Sequence, residues 1–166
     1  MAKPETWEKL KYFTPDEKWG DPDEISDDLL LVLDDFRHFI GTQVLILCGV
    51  KTSGHSTQSY HYRDQGSCAV DCMLPSYTGG VIDLLFSVFR FPFTGVGYYP
   101  DWELNGKKVG GLHLDLRPLK YEKDNTLSYK HARWLGIKNS SGEQSYVPMT
   151  LENLRKYSTG GINGLS

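Results

Sequence analysis

The sequence predicts an α+β domain, a single mostly antiparallel sheet with helices packed on one side. Three observations carry this. Residues 26–40 hold an apolar repeat of 3.6 residues, and a second apolar helical stretch covers 78–91. Between and after them lie short apolar runs closed by Gly or Pro, of strand rather than helix length. The 166 residues are 39% hydrophobic and 13% aromatic, enough for one core without disulfides or a metal to hold it folded.

In the first helix Leu29, Val32, Leu33, Phe36 and Ile40 share one face. Ser26 is its cap, Asp27 and Asp28 suit its positive N-terminal end, and Gly41 stops it. The run QVLILC at 43–48 reads as a buried strand closed by Gly49. In the second helix Asp83, Ser87 and Arg90 are the only polar stripe, so protein is expected to cover the rest; Pro92 ends it. Further strands are expected at 67–73, 95–99, 111–117 and 133–137, and a last helical turn or two at 150–157. No internal repeat interrupts residues 1–157, which read as one domain; the Ser- and Gly-rich stretch 158–166 reads as a flexible tail.

Charge and cysteine content exclude several classes. Eighteen Lys+Arg against 21 Asp+Glu give a net charge of −3, with no basic run, so nucleic acid is not an expected partner. No stretch is apolar for long enough to span a membrane. The N-terminal residues do not pattern as a signal sequence, which predicts cytoplasmic synthesis. Cys48, Cys68 and Cys72 are an odd number and are expected to be free thiols.

Polar chemistry gathers at a few places. In GLHLDLR, the alternation of a strand sends Leu112, Leu114 and Leu116 to one face and Gly111, His113, Asp115 and Arg117 to the other. In SCAVDCM it groups Ala69, Asp71 and Met73, with Cys68, Val70 and Cys72 opposite. His61 lies in the polar loop between the first two strands. Two histidines and a carboxylate are a common catalytic zinc set. There is no HExxH, and from the residues alone two hydrogen-bonded histidines beside a sheet are the more ordinary reading, with the zinc set as the alternative.

The segment LLLVLDDFRHFIGTQVLILCGVKTSGHSTQSYHYRDQGSCAVDC, followed by TGVGYYP, GGLHLDLRP and HARWLG, resembles the zinc D-Ala-D-Ala carboxypeptidase-like peptidases over roughly residues 13 to 135. Their landmarks, a turn, S-x-H, a strand ending in Asp, G-x-Y-P, H-x-D-x-R and R-W, occur here in the same order. The resemblance implies the hedgehog/DD-peptidase fold and a zinc site made by His61, Asp71 and His113. It implies that Ser59 contacts substrate or orients the loop, and that Asp115 fixes a ligand imidazole; the alternative for Asp115 is an ion pair with Arg117. His55 is the alternative first ligand.

Three departures from the family pattern matter. The interval from His61 to Asp71 is longer than in the family. Lys51 stands where the family has an arginine, keeping the charge but losing the fork that grips a carboxylate. Gly110 and Gly111 occupy the places where a general base is expected, and Asp101 and Glu103 in YPDWELNGKKVGG are the nearest acidic replacements.

The function the resemblance implies is a zinc metallopeptidase hydrolysing peptidoglycan stem peptides, as a D,D-carboxypeptidase or an endolysin-type endopeptidase. Lys51 would stabilise the oxyanion, and Asp101 or Glu103 would carry the proton. A phage lysin released to the cell wall and a peptidase of wall precursors are both compatible with cytoplasmic synthesis. The alternative is a non-catalytic metal-binding module that retains the fold, such as a phage-particle component. The aromatic cluster Phe86, Phe89, Phe91, Phe93, Tyr98, Tyr99 and Trp102 reads as core and cleft wall, Arg133 and Trp134 as braces of the sheet, and Asp34 as part of the wet face of the first helix.

Overall fold

A computed structural model describes residues 2–52, 59–118 and 131–158. The expected alternative ligand His55 and the tail from 159 onward lie outside the described residues. The helices are α1 (Pro4–Trp7), α2 (Asp27–Ile40), α3 (Val81–Val88) and α4 (Leu151–Tyr157). The strands are β1 (Leu45–Cys48), β2 (Ala69–Met73), β3 (Gly95–Tyr99), β4 (Glu103–Leu104), β5 (Lys107–Lys108), β6 (Gly111–Asp115), β7 (Ala132–Lys138) and β8 (Gln144–Pro148). Six of them form one sheet in the order β1-β2-β6-β3-β7-β8, antiparallel except for the β3–β7 pair, while β4 and β5 form a separate two-stranded ribbon. The fold is therefore α+β with a mostly antiparallel sheet.

α2 forms as its sequence dictates. Ser26 Oγ accepts from Leu29 N–H, and the Gly41 N–H closes the far end on the Arg37 carbonyl. Its face of Leu29, Leu30, Leu33 and Phe36 joins Val81, Leu84, Leu85 and Val88 of α3 in one core. The same core takes Val70 and Cys72 of β2, Val96 and Tyr98 of β3, Leu112 and Leu114 of β6, and Leu135 of β7. The helices thus cover the leucine face of β6, and His113 and Asp115 are left on the other.

Two expectations about helices are corrected. Phe86 and Phe89 are 66% and 42% exposed, because only the narrower stripe at Val81, Leu84, Leu85 and Val88 meets the sheet. Asp34 is buried rather than wet; its carboxylate accepts from the backbone N–H groups of Lys11 and Tyr12, tying the N-terminal segment to α2.

The segment YPDWELNGKKVGG, which carries Asp101 and Glu103, forms a hairpin. β4 pairs with β5 around Asn105 and Gly106, both at positive φ, which a two-residue turn of the right-handed ribbon requires. Among the described residues, no helix is long and apolar enough to cross a membrane.

Candidate metal centre and cleft

The sheet order places the polar residues in one row. Cys48 of β1 is opposite Asp71 of β2, Asp71 is opposite His113 of β6, His113 is opposite Gly97 of β3, and Gly97 is opposite Trp134 of β7. Strict alternation would put Cys48 on the same face as the buried Ile46. A bulge between Ile46 and Cys48 shifts the register, so that two steps along β1 match one along β2, and brings Cys48 to the side of Asp71.

His61 comes from the connection between β1 and β2. Lys51 N–H donates to the His61 carbonyl and Cys68 N–H to that of Tyr60, which fastens this loop at both ends. Ser59 Oγ accepts from His61 N–H at 3.5 Å. The nine residues between His61 and Asp71 are taken up by a turn of 3-10 helix at Arg63–Gln65 and by Gly66 and Ser67 at positive φ.

The hydrogen bonds fix which atoms of each histidine are free. His61 Nδ1 is 2.5 Å from the Gly49 carbonyl, which can only accept, so Nδ1 carries the proton and Nε2 points away from it. His113 Nε2 is 3.0 Å from Asp115 Oδ2. Burial disfavours ionisation of Asp115, but its hydrogen bonds to Arg117 and His113 outweigh that and hold its carboxyl well below the usual range. It can therefore accept a proton from Nε2, and in that tautomer His113 presents the lone pair of Nδ1 to Asp71 and His61.

The atoms left over converge. His61 Nε2 lies 3.2 Å from His113 Nδ1 and 3.3 Å from Asp71 Oδ1, and His113 Nδ1 lies 2.8 Å from Asp71 Oδ1. Donor atoms about 2.0–2.2 Å from a tetrahedral ion stand about 3.3 Å apart, so the triangle has the size a metal needs. Burial opposes charge on both Asp71 and His113. Even so, hydrogen bonding to the histidines keeps the Asp71 carboxyl far below its ordinary range, and Asp115 and Asp71 raise the His113 imidazole. Cys48, His61 and Asp71 also form a group whose ligand atoms all lie within 4.8 Å of one another. The donor set fits a divalent metal.

Asp115 contacts both partners considered for it, the His113 imidazole and Arg117. Fully buried, it orients His113 and pairs with both Nε and Nη2 of Arg117. The Arg117 guanidinium lies over the rings of Tyr60 and Trp134, 4.7 and 5.3 Å from their centroids. Gly95 lies beneath the Asp115 carboxylate and Gly97 beneath the Trp134 indole, where any Cβ would come within 2.5 Å of them.

Around the triangle opens a cleft of about 680 Å³, in the range of small-ligand sites. Lys51, with its ammonium 3.3 Å from Asp71 Oδ2, is on its wall together with Ser59, Arg117 and Gln144. Tyr60, Tyr99, Trp102, Trp134 and Tyr146 make the wall strongly aromatic. Tyr99 stacks on Trp102 at 4.3 Å and accepts from the Trp134 indole N–H. Trp134 is thus a cleft residue, whereas Arg133 braces the sheet through the Phe93 and Thr94 carbonyls.

The two acidic residues expected to carry the proton are not brought to the cleft. Asp101 is held by Lys108 Nζ at 2.7 Å and by the Lys138 N–H at 3.2 Å. Glu103 is exposed on the β4–β5 ribbon. The Asn105-Gly106 turn pins the hairpin on itself, and that dipeptide was the sequence signal for it. Cys48 was missed as a site residue because nothing in the sequence marks a bulge. All three cysteines are free thiols, as expected.

Compared with protein-family models, curated proteins and solved structures, the chain has no match.

Proposed function

We propose that the protein is a zinc metallopeptidase that hydrolyses peptidoglycan stem peptides, on a sheet of the hedgehog/DD-peptidase type. The observation that carries this reading is the convergence of His61 Nε2, Asp71 Oδ1 and His113 Nδ1 on one point in a large cleft. Zinc held there supplies a Lewis acid that polarises a peptide carbonyl and lowers the pKa of water to about 7.

The chain's own residues supply positioning and charge. The Gly49 carbonyl and Asp115 lock the two imidazoles in the tautomers that present a lone pair. Lys51, 3.3 Å from Asp71 Oδ2, would supply positive charge to a carbonyl oxygen bound at the site. Tyr99, Trp102 and Trp134 form an apolar wall against which a peptide can be held away from water.

A second reading rests on one observation. Among the described residues lining the cleft, Asp71 is the only carboxylate, and it is committed to His61, His113 and Lys51. Proton transfer to a leaving amine then lacks the usual acidic group. This favours a metal-binding module without hydrolytic activity, such as a phage-particle component.

Incubating zinc-loaded protein with purified muropeptides and following products by mass spectrometry separates the two. Release of D-Ala or a dipeptide, lost with His113→Ala, is the expected result. Inactivity over a range of metals and stem peptides contradicts the peptidase and leaves the module.

A further inference from the structure

We propose that Cys48 is a fourth protein ligand of the ion held by His61, Asp71 and His113; this rests on the metal-site reading above. The donor atoms fall into two triangles. One joins His61, Asp71 and His113 at 2.8 to 3.3 Å; the other joins Cys48, His61 and Asp71 within 4.8 Å. Both triangles draw on His61 and Asp71, so Cys48 and His113 flank the same pair of ligand residues.

The backbone explains why the thiol is there. The β1 bulge turns Cys48 out of the core and sets it opposite Asp71, the residue that His113 faces from the other side. The Gly49 carbonyl anchors both neighbours, accepting from His61 Nδ1–H at 2.5 Å and from the Cys48 thiol at 3.7 Å. A thiolate, two imidazoles and a carboxylate together select borderline cations such as Zn²⁺ or Co²⁺ over Mg²⁺, Ca²⁺ or Mn²⁺. Ligation forms a sulfur–metal bond and releases the thiol proton to solvent, with no oxidant or reductant needed.

The consequence concerns the kind of site. Three protein ligands leave a place for water or substrate, whereas four close the sphere. With Cys48 bound the centre is of the closed type, and any hydrolysis requires the thiolate to yield its position. Cys68 and Cys72 are buried, and Cys72 belongs to the core on the opposite face of the sheet, so neither competes.

Cobalt(II) alone, added to the full chain, tests this without any activity measurement. The expected result is a set of visible d–d bands together with a near-ultraviolet sulfur-to-cobalt charge-transfer band. In Cys48→Ser the charge-transfer band should be lost while the d–d bands remain. Wild-type d–d bands with no charge-transfer band overturn the role of Cys48 but leave the three-ligand site intact. A charge-transfer band surviving in Cys48→Ser overturns it equally. No d–d bands at all overturn the metal site itself. Should the serine variant not fold, alkylation of the wild type mapped by mass spectrometry replaces it. Cobalt is expected to protect Cys48 from iodoacetamide, and equal modification with and without cobalt contradicts the proposal.

Discussion

Replacing Gly95 by alanine tests whether Asp115 is held as rigidly as the site requires. A Cβ at position 95 would lie 2.2 to 2.4 Å from the Asp115 carboxyl atoms, a separation real structures do not tolerate. Asp115 cannot easily give way, being fully buried, bonded to Arg117 and His113, and opposite Gly95 in the β3–β6 register. Overpacking of this kind costs roughly 1–3 kcal/mol. Displacing the carboxylate loses at least one hydrogen bond between charged groups, roughly 1.5–3 kcal/mol more. A total of about 3 kcal/mol or more is expected, or roughly 6–12 °C in Tm for a chain of this size. The assay is thermal unfolding of the metal-free protein in a cycle with Asp115→Ala, whose shortened side chain leaves room for the methyl group. Gly95→Ala should then cost under about 1 kcal/mol, a coupling well above the few tenths expected of independent sites. Equal costs in both backgrounds would refute the clash and the fixed position of Asp115.

Other expectations follow from the same structure. Asp34→Asn retains one acceptor for the Lys11 and Tyr12 N–H groups but turns an amide against the other. The expected loss is about 1–3 kcal/mol, read by denaturant unfolding. Gly97→Ala drives a methyl into the Trp134 indole, 2.4 Å away, and should weaken muropeptide binding through the distorted wall, read as a raised KM. The Asp115 carboxyl titrates below its unfolded value of 3.8 because Arg117 and His113 stabilise its charge. It contributes stability above about pH 4 that is lost as pH falls towards the lowered value. In metal-free protein, Asp115→Asn should remove that part of the acid sensitivity, as measured by urea unfolding between pH 5 and pH 2.

The legible parts of the sequence were those governed by local rules. α2 follows from its apolar spacing, its Ser26 cap and Gly41, and β6 from the alternation that separates the leucines from His113 and Asp115. That Asp71 shares a side with His113 follows from the direct pairing of β2 with β6, which the alternation within each strand does not give. What was not legible depended on register and on partners distant in sequence. β8 has no apolar signature of its own and is held by pairing with β7. The burial of Asp34 depends on an N-terminal segment that comes to it from 23 residues away. Cys48 reaches the site only through a bulge, since the alternation that serves for β6 would send it to the core.

The central claim is that His61, Asp71 and His113 hold one metal ion. Elemental analysis of wild type, His113→Ala and Asp71→Ala, each purified without a histidine tag and offered zinc before excess is removed, tests it most directly. The account predicts one zinc per wild-type chain and loss of the metal in both variants. A wild-type protein that holds no metal after zinc is offered, or variants that retain it in full, would contradict the account.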